Sequence, residues 1–136
     1  MAKKITKKES KRFDYKTIKT FEDACVKLGI DHKVLPVVDG LPDDMKKSII
    51  AHYKLQIIYK AINDGWVPDW GNYDQFKYYP WFSVLSSGFG FGTSYYGYAY
   101  SGSSVGSRLC TDTSEKARYI AEQFEQEYKE LMLFEK

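Results

Sequence analysis

The pattern of the chain predicts an α+β domain: a small antiparallel sheet of about three short, aromatic- and glycine-rich strands, packed by two long helices and one short helix. Three observations carry that prediction. Apolar residues recur at helical spacing up to Ile62, and again from Ala117 onward. Between these stretches the composition changes: eight of the ten glycines lie from Gly65 to Gly106, and 14 of the 23 aromatic residues from Trp66 to Tyr100. Elements grouped along the chain, rather than alternating, indicate helices covering one face of an antiparallel sheet.

Residues 1–16 carry few apolar groups and no period, so a disordered basic tail is expected ahead of a single domain over 17–136. The short helix follows. Thr20 is placed to cap it, with Asp23 three residues on; Phe21, Ala24, Cys25 and Leu28 share one face, and Gly29 suits its left-handed end. Pro36, Asp39-Gly40 and Pro42 make residues 30–42 a connector. The second helix starts at Pro42-Asp43, with Asp43 and Asp44 at the positive end of its dipole, and stops at Asn63-Asp64-Gly65. Met45, Ile49, Tyr53 and Ile57 form an apolar stripe that Ile50, Leu55, Ile58, Ala61 and Ile62 widen, which makes this helix central.

In the aromatic region, strands are expected near Lys77–Leu85, 95–100 and 105–110, joined by glycine- and serine-rich turns. Trp66, Phe76, Trp81 and Leu85 are the candidate core residues there. Trp70, Tyr73, Tyr95, Tyr96 and Tyr98 are the candidate exposed set. Thr113 or Ser114 caps the last helix, whose stripe of Ala117, Ile120, Ala121, Phe124, Tyr128 and Leu131 runs over four turns.

Composition excludes several classes of protein. A chain of 136 residues can bury a core without metal or disulfide staples. Cys25 and Cys110 are too few for a disulfide-stapled secreted domain, and reduced thiols are the simpler reading. No apolar run approaches the roughly 20 residues that span a bilayer, and no apolar stretch follows the basic N-terminus. A cytoplasmic location is therefore expected. The net charge of +2 is uneven: residues 1–16 hold seven basic and two acidic residues, a net of +5, which leaves the rest at −3. Basic tails of this kind contact nucleic acid or keep a protein soluble.

No catalytic constellation is recognisable. Ser86-Ser87-Gly88-Phe89-Gly90-Phe91-Gly92-Thr93 looks like a phosphate loop but lacks its lysine and a following helix; a glycine-bent strand or hairpin is the better reading. His32, His52, Cys25 and Cys110 match no zinc spacing, so neither metal nor cofactor is expected. Asp69, Asp74 and Asp112 sit in turn-like contexts that favour aspartate for backbone reasons. The sharpest feature is the crowding of Trp66, Trp70, Tyr73, Phe76, Tyr78, Tyr79, Trp81 and Phe82 within 17 residues. Exposed aromatics stack on single-stranded bases or sugars and anchor protein contacts, whereas buried ones form core. Arg108, among mainly apolar neighbours, either clamps a phosphate or carboxylate or pairs with an acid inside the fold.

Trp66-Val67-Pro68-Asp69-Trp70, Lys77-Tyr78-Tyr79-Pro80-Trp81-Phe82, Val105-Gly106-Ser107-Arg108-Leu109-Cys110 and the helix with Ala117, Ala121, Gln123 and Phe124 carry a resemblance. Starting near Lys19 and covering nearly all the chain beyond the tail, the sequence resembles a family of uncharacterised proteins encoded by phages and prophages of gut Bacteroidetes. The resemblance implies a mobile-element context and a bacterial cytoplasm. It supplies no activity and no site.

The functional expectation is a non-enzymatic phage accessory protein that binds single-stranded nucleic acid. Lys3, Lys4, Lys7, Lys8, Lys11 and Arg12 would contact phosphate, while Trp70, Tyr73, Tyr95, Tyr96, Tyr98 and Arg108 would form the aromatic surface. The acidic body weighs against it. Two alternatives use the same region: a virion or protein-interaction component forming a subunit contact with a phage or host protein, and a sugar-binding module. Salt-sensitive binding to single strands separates the first reading from the second, and a stable oligomer or complex would favour the second.

Overall fold

The computed structural model describes the backbone of residues 12–72, 74–85, 88–97 and 108–134, and the side chains of these residues other than 83–85 and 90–97. Helix α1 spans Phe21–Leu28 and begins as its sequence dictates. The Thr20 hydroxyl accepts from the Asp23 N–H at 3.0 Å, and the Asp23 carboxylate accepts from the N–H groups of Thr20 and Lys19. Gly29 ends the helix at φ +68°, a conformation that only glycine reaches without steric cost.

Helix α2, Asp43–Asn63, supplies the centre of the core. Ala51, Leu55, Ile58, Ala61 and Ile62 are fully buried along one face, each larger side chain contributing about 1.5–3 kcal/mol by leaving water. The expected stripe is rotated. Met45 and Ile49 are exposed, and Tyr53 and Ile57 only partly buried. Residues four apart drift steadily around a helix, so a stripe that starts at Met45 lies beside the buried face instead of on it.

Two strands, not three, are present among the described residues. Strand β1, Lys77–Leu85, pairs antiparallel with β2, Gly88–Gly97, in a ribbon whose register shifts between Trp81 and Phe82. The strand expected over 95–100 starts much earlier, at Gly88. Alternation of glycine and phenylalanine here follows the period of a strand, and that period prevails over glycine's turn preference. Of the strand expected over 105–110, residues 105–107 lie outside the described residues, and Arg108 and Leu109 lie in a turn. The chain reaches the ribbon at Thr111, whose N–H and C=O exchange bonds of 2.8 and 2.9 Å with Tyr78.

The expected C-terminal helix is two helices. Helix α3, Ser114–Gln123, is capped by the Thr113 hydroxyl, and α4 spans Glu125–Met132. Phe124 breaks the run at φ −115°, ψ 34°, while its N–H still reaches the Ile120 carbonyl at 2.9 Å. The architecture is thus a helix-dominated mixture of helices and strands.

Ile18, Phe21 and Cys25 join α2, Phe82, Leu109, Ile120, Phe124 and Tyr128 in one core. Phe82 stacks on Phe89 at 5.0 Å and tilts onto Tyr128 at 4.5 Å. The hydroxyls of Tyr59 and Tyr128 hydrogen-bond to each other inside it. The packed body also takes in residues ahead of 17: Phe13 and Tyr15 lie against the core, Lys27 covers the Phe13 ring, and Tyr15 meets Tyr119 edge-on. The Tyr119 hydroxyl donates to the Ile18 carbonyl at 2.7 Å and fixes this segment to α3.

Three of the aromatic core assignments change. Trp81 is 50% exposed and Phe76 41% exposed, while Trp66 is partly buried. The Leu85 side chain is outside those described. Phe82, one residue after Trp81, takes the core position instead. A one-residue displacement moves a strand side chain to the opposite face, so the error is one of parity.

Candidate functional site

The last turns of α2 present Gln56, Lys60 and Asn63 at i, i+4 and i+7, on a face beside the buried one. After Asp64 and Gly65, both with positive φ, the chain turns back and lays Trp66, Pro68 and Trp70 across from that face. Arg108 and Cys110 close the third side. Between them is a cleft of about 490 Å³, within the range of roughly 300–1,000 Å³ typical of small-ligand sites.

The chemistry of the lining is one-sided. Lys60 and Arg108 are both exposed, and among the described residues no carboxylate lines the cleft. Neither cation has a hydrogen-bond or ion-pair partner among the described residues. Of the two roles open to Arg108 from its sequence, internal pairing is therefore not the one adopted among those residues. Asn63, only 7% exposed, donates from Nδ2 to the Cys110 carbonyl at 2.9 Å, while its Oδ1 has no partner. A carbonyl can only accept, so this bond fixes which end of the amide is the donor. The Trp70 Nε1 is likewise buried without a partner. An unpaired acceptor and an unpaired donor thus belong to residues that line the cleft.

Trp70 is held from behind by a residue the sequence did not single out. Lys77, the first residue of β1, is 1% exposed. Its Nζ donates to the carbonyls of Gln75 and Asn72 at 3.0 and 3.3 Å and lies 5.1 Å from the Trp70 ring centroid. Cys110 has its thiol pushed up to about 11 by burial, which the nearby Lys77 ammonium only partly opposes. Burial raises the Cys25 thiol too, helped by Glu22 and Asp31. Both cysteines are free thiols, protonated at neutral pH and poor nucleophiles.

The structure brings Trp70 and Arg108 together and adds Trp66, Lys60 and Asn63. Tyr95 and Tyr96 stand opposite Tyr79 and Tyr78 in the ribbon register, and their side chains are outside those described. Tyr73, Tyr98, Lys3, Lys4, Lys7, Lys8 and Lys11 lie outside the described residues; Arg12 is exposed. From Gly88 onward the glycine segment runs in a strand, and Ser86 and Ser87 lie outside the described residues. His32 and His52 are exposed while Cys25 and Cys110 are buried, and among the described residues no three metal-ligating side chains converge. No helix among them is long and apolar enough to cross a membrane. Comparison with known proteins finds no matching family model, no matching curated protein and no matching solved structure.

Proposed function

We propose that the chain is a non-enzymatic phage or prophage protein that binds single-stranded nucleic acid and takes one nucleotide into the cleft. The observation that carries the reading is the cleft's composition: indole walls from Trp66 and Trp70 and, among the described residues, two cations without ion-pair partners and no lining carboxylate. A base has a flat apolar face to stack, worth about 1–3 kcal/mol on an aromatic side chain. Its phosphate is an anion that Arg108 can hold with two parallel hydrogen bonds and Lys60 with a point charge. A paired base in a duplex cannot enter, so single strands are favoured. The basic residues from Lys3 to Arg12 add contacts along the backbone that carry no sequence preference. The bacterial and phage setting rests on the sequence resemblance alone.

The test is a titration of tryptophan fluorescence with a single-stranded oligonucleotide at two salt concentrations. Two of the three tryptophans line the cleft, so binding should quench them saturably and weaken with salt. Absence of quenching at micromolar protein and low salt would reject the reading. A protein-contact role is the second reading, favoured by the exposed Trp81 and Phe76 on the ribbon side. It predicts a complex that forms without salt-sensitive oligonucleotide binding.

A further inference from the structure

We infer that Lys77 is a positioning residue that sets Trp70 as the wall of the cleft. The inference rests on the nucleotide-cleft reading for its functional consequence, though not for its structural part. Lys77 opens a strand, where an apolar residue would bury at no cost. Taking an ammonium out of water is expensive unless hydrogen bonds and charge answer it. Here no carboxylate partners it among the described residues, and the described groups that receive the Nζ belong to the loop that carries Trp70. Those groups are the Asn72 and Gln75 carbonyls and the indole face itself.

The loop has other ties. The Gln75 side chain accepts from the Asp69 N–H at 2.7 Å, and the Asp69 carboxylate accepts from the Gly71 N–H at 3.0 Å. These close the loop on itself but do not join it to the sheet. Lys77 makes that joint, since its backbone belongs to β1 and its head group to the loop. One face of the Trp70 ring is thereby occupied by a cation. That face is closed to a ligand, so a base would stack on the other, and the indole cannot turn over without losing the cation contact.

The experiment uses the full chain with Trp66→Phe and Trp81→Phe, which leaves Trp70 as the sole tryptophan, and reads its quenching by acrylamide with no ligand present. Lys77→Met keeps the buried stem and removes the head group; quenching should rise about twofold or more as the loop opens. Lys77→Arg, which can hold carbonyls and stack on indole, should stay near the parent, and Lys77→Gln, a neutral donor, should fall between. That order keeps the test decisive if the methionine variant does not fold. Equal quenching across the folded variants overturns the inference. In the three-tryptophan protein, Lys77→Met should weaken binding of a labelled oligothymidylate about tenfold with an unchanged salt slope, because the ammonium touches no phosphate. A slope reduced by about one would make Lys77 a direct contact and also overturn it. Looser Trp70 in a protein whose unaltered form binds no oligonucleotide would support the positioning role while rejecting the nucleotide cleft.

Discussion

Replacing Arg108 with alanine tests the cleft most directly, because the structure separates its effect on binding from any effect on folding. Arg108 is exposed and holds no partner among the described residues, so its removal should change stability by no more than about 0.5 kcal/mol. A hydrogen bond between charged groups contributes about 1.5–3 kcal/mol. The exposed guanidinium remains solvated, which puts it at the low end, a loss of about tenfold in affinity. One phosphate contact fewer should also reduce the slope of log affinity against log salt by about one. The assay is the fluorescence titration repeated over a series of salt concentrations, with a urea melt as the folding control. Affinity and slope both unchanged in a protein of unchanged stability would refute the reasoning. In that event the cations of the cleft do not meet phosphate.

Four further outcomes are expected. Trp70→Ala should weaken oligonucleotide binding by about 1–3 kcal/mol, whereas Trp81→Ala, on an exposed ribbon position outside the cleft, should change it little; equal losses would move the binding surface to the ribbon. Tyr128→Phe leaves the Tyr59 hydroxyl without its partner inside the core and should cost about 1–3 kcal/mol in a urea melt, with the double Tyr59→Phe, Tyr128→Phe variant losing less than the sum of the singles. Cys110 has an ordinary value of 9.0 and a folded value of about 11, so the unfolded chain releases its proton first as pH rises. The stability linked to it is complete below pH 9 and disappears through pH 11; in Cys110→Ala the decline above pH 9 should be shallower, carried there by Cys25, also raised from 9.0, and joined above pH 10 by the buried Tyr59 and Tyr128. Alkylation of Cys25 and Cys110 by iodoacetamide at neutral pH should be slow until denaturant is added, since both thiols are buried.

Local signals in the sequence were legible where the chemistry is local. Thr20 with Asp23, Gly29, Asn63-Asp64-Gly65 and Thr113 bound their helices because caps and stops act through backbone groups a few residues away. The span of β1 was readable for a similar reason, as an aromatic run with its own composition. The face that each residue would turn to the core was not. The register shift beside Trp81 and Phe82 skips Gly92 of β2, and nothing in the aromatic run of β1 says which of these two neighbouring rings faces the core. Phe124 interrupts the last helix without proline or glycine; its 2% exposure and the neighbouring Tyr128 show tertiary burial overriding an unbroken helical period.

The cleft is a different case, because its parts are far apart in sequence. Trp70 and Arg108 were singled out separately, one for aromatic crowding and one for a charge among apolar neighbours. Nothing local says that residues 108–110 return to the end of α2. The bond that brings them there runs from the Asn63 side chain to the Cys110 carbonyl, and Asn63 reads in sequence as a helix stop. The same bond consumes the amide's donor and leaves its acceptor unpaired, and the residue that closes the fold at this point also lines the cleft. Lys77 does likewise: as the head of a strand it looks like a surface charge, and only the loop folded over it turns that charge inward. Residues that join distant segments carry no local signature, because their partners are chosen by the fold. A pocket assembled by such joints becomes visible only when the fold is known.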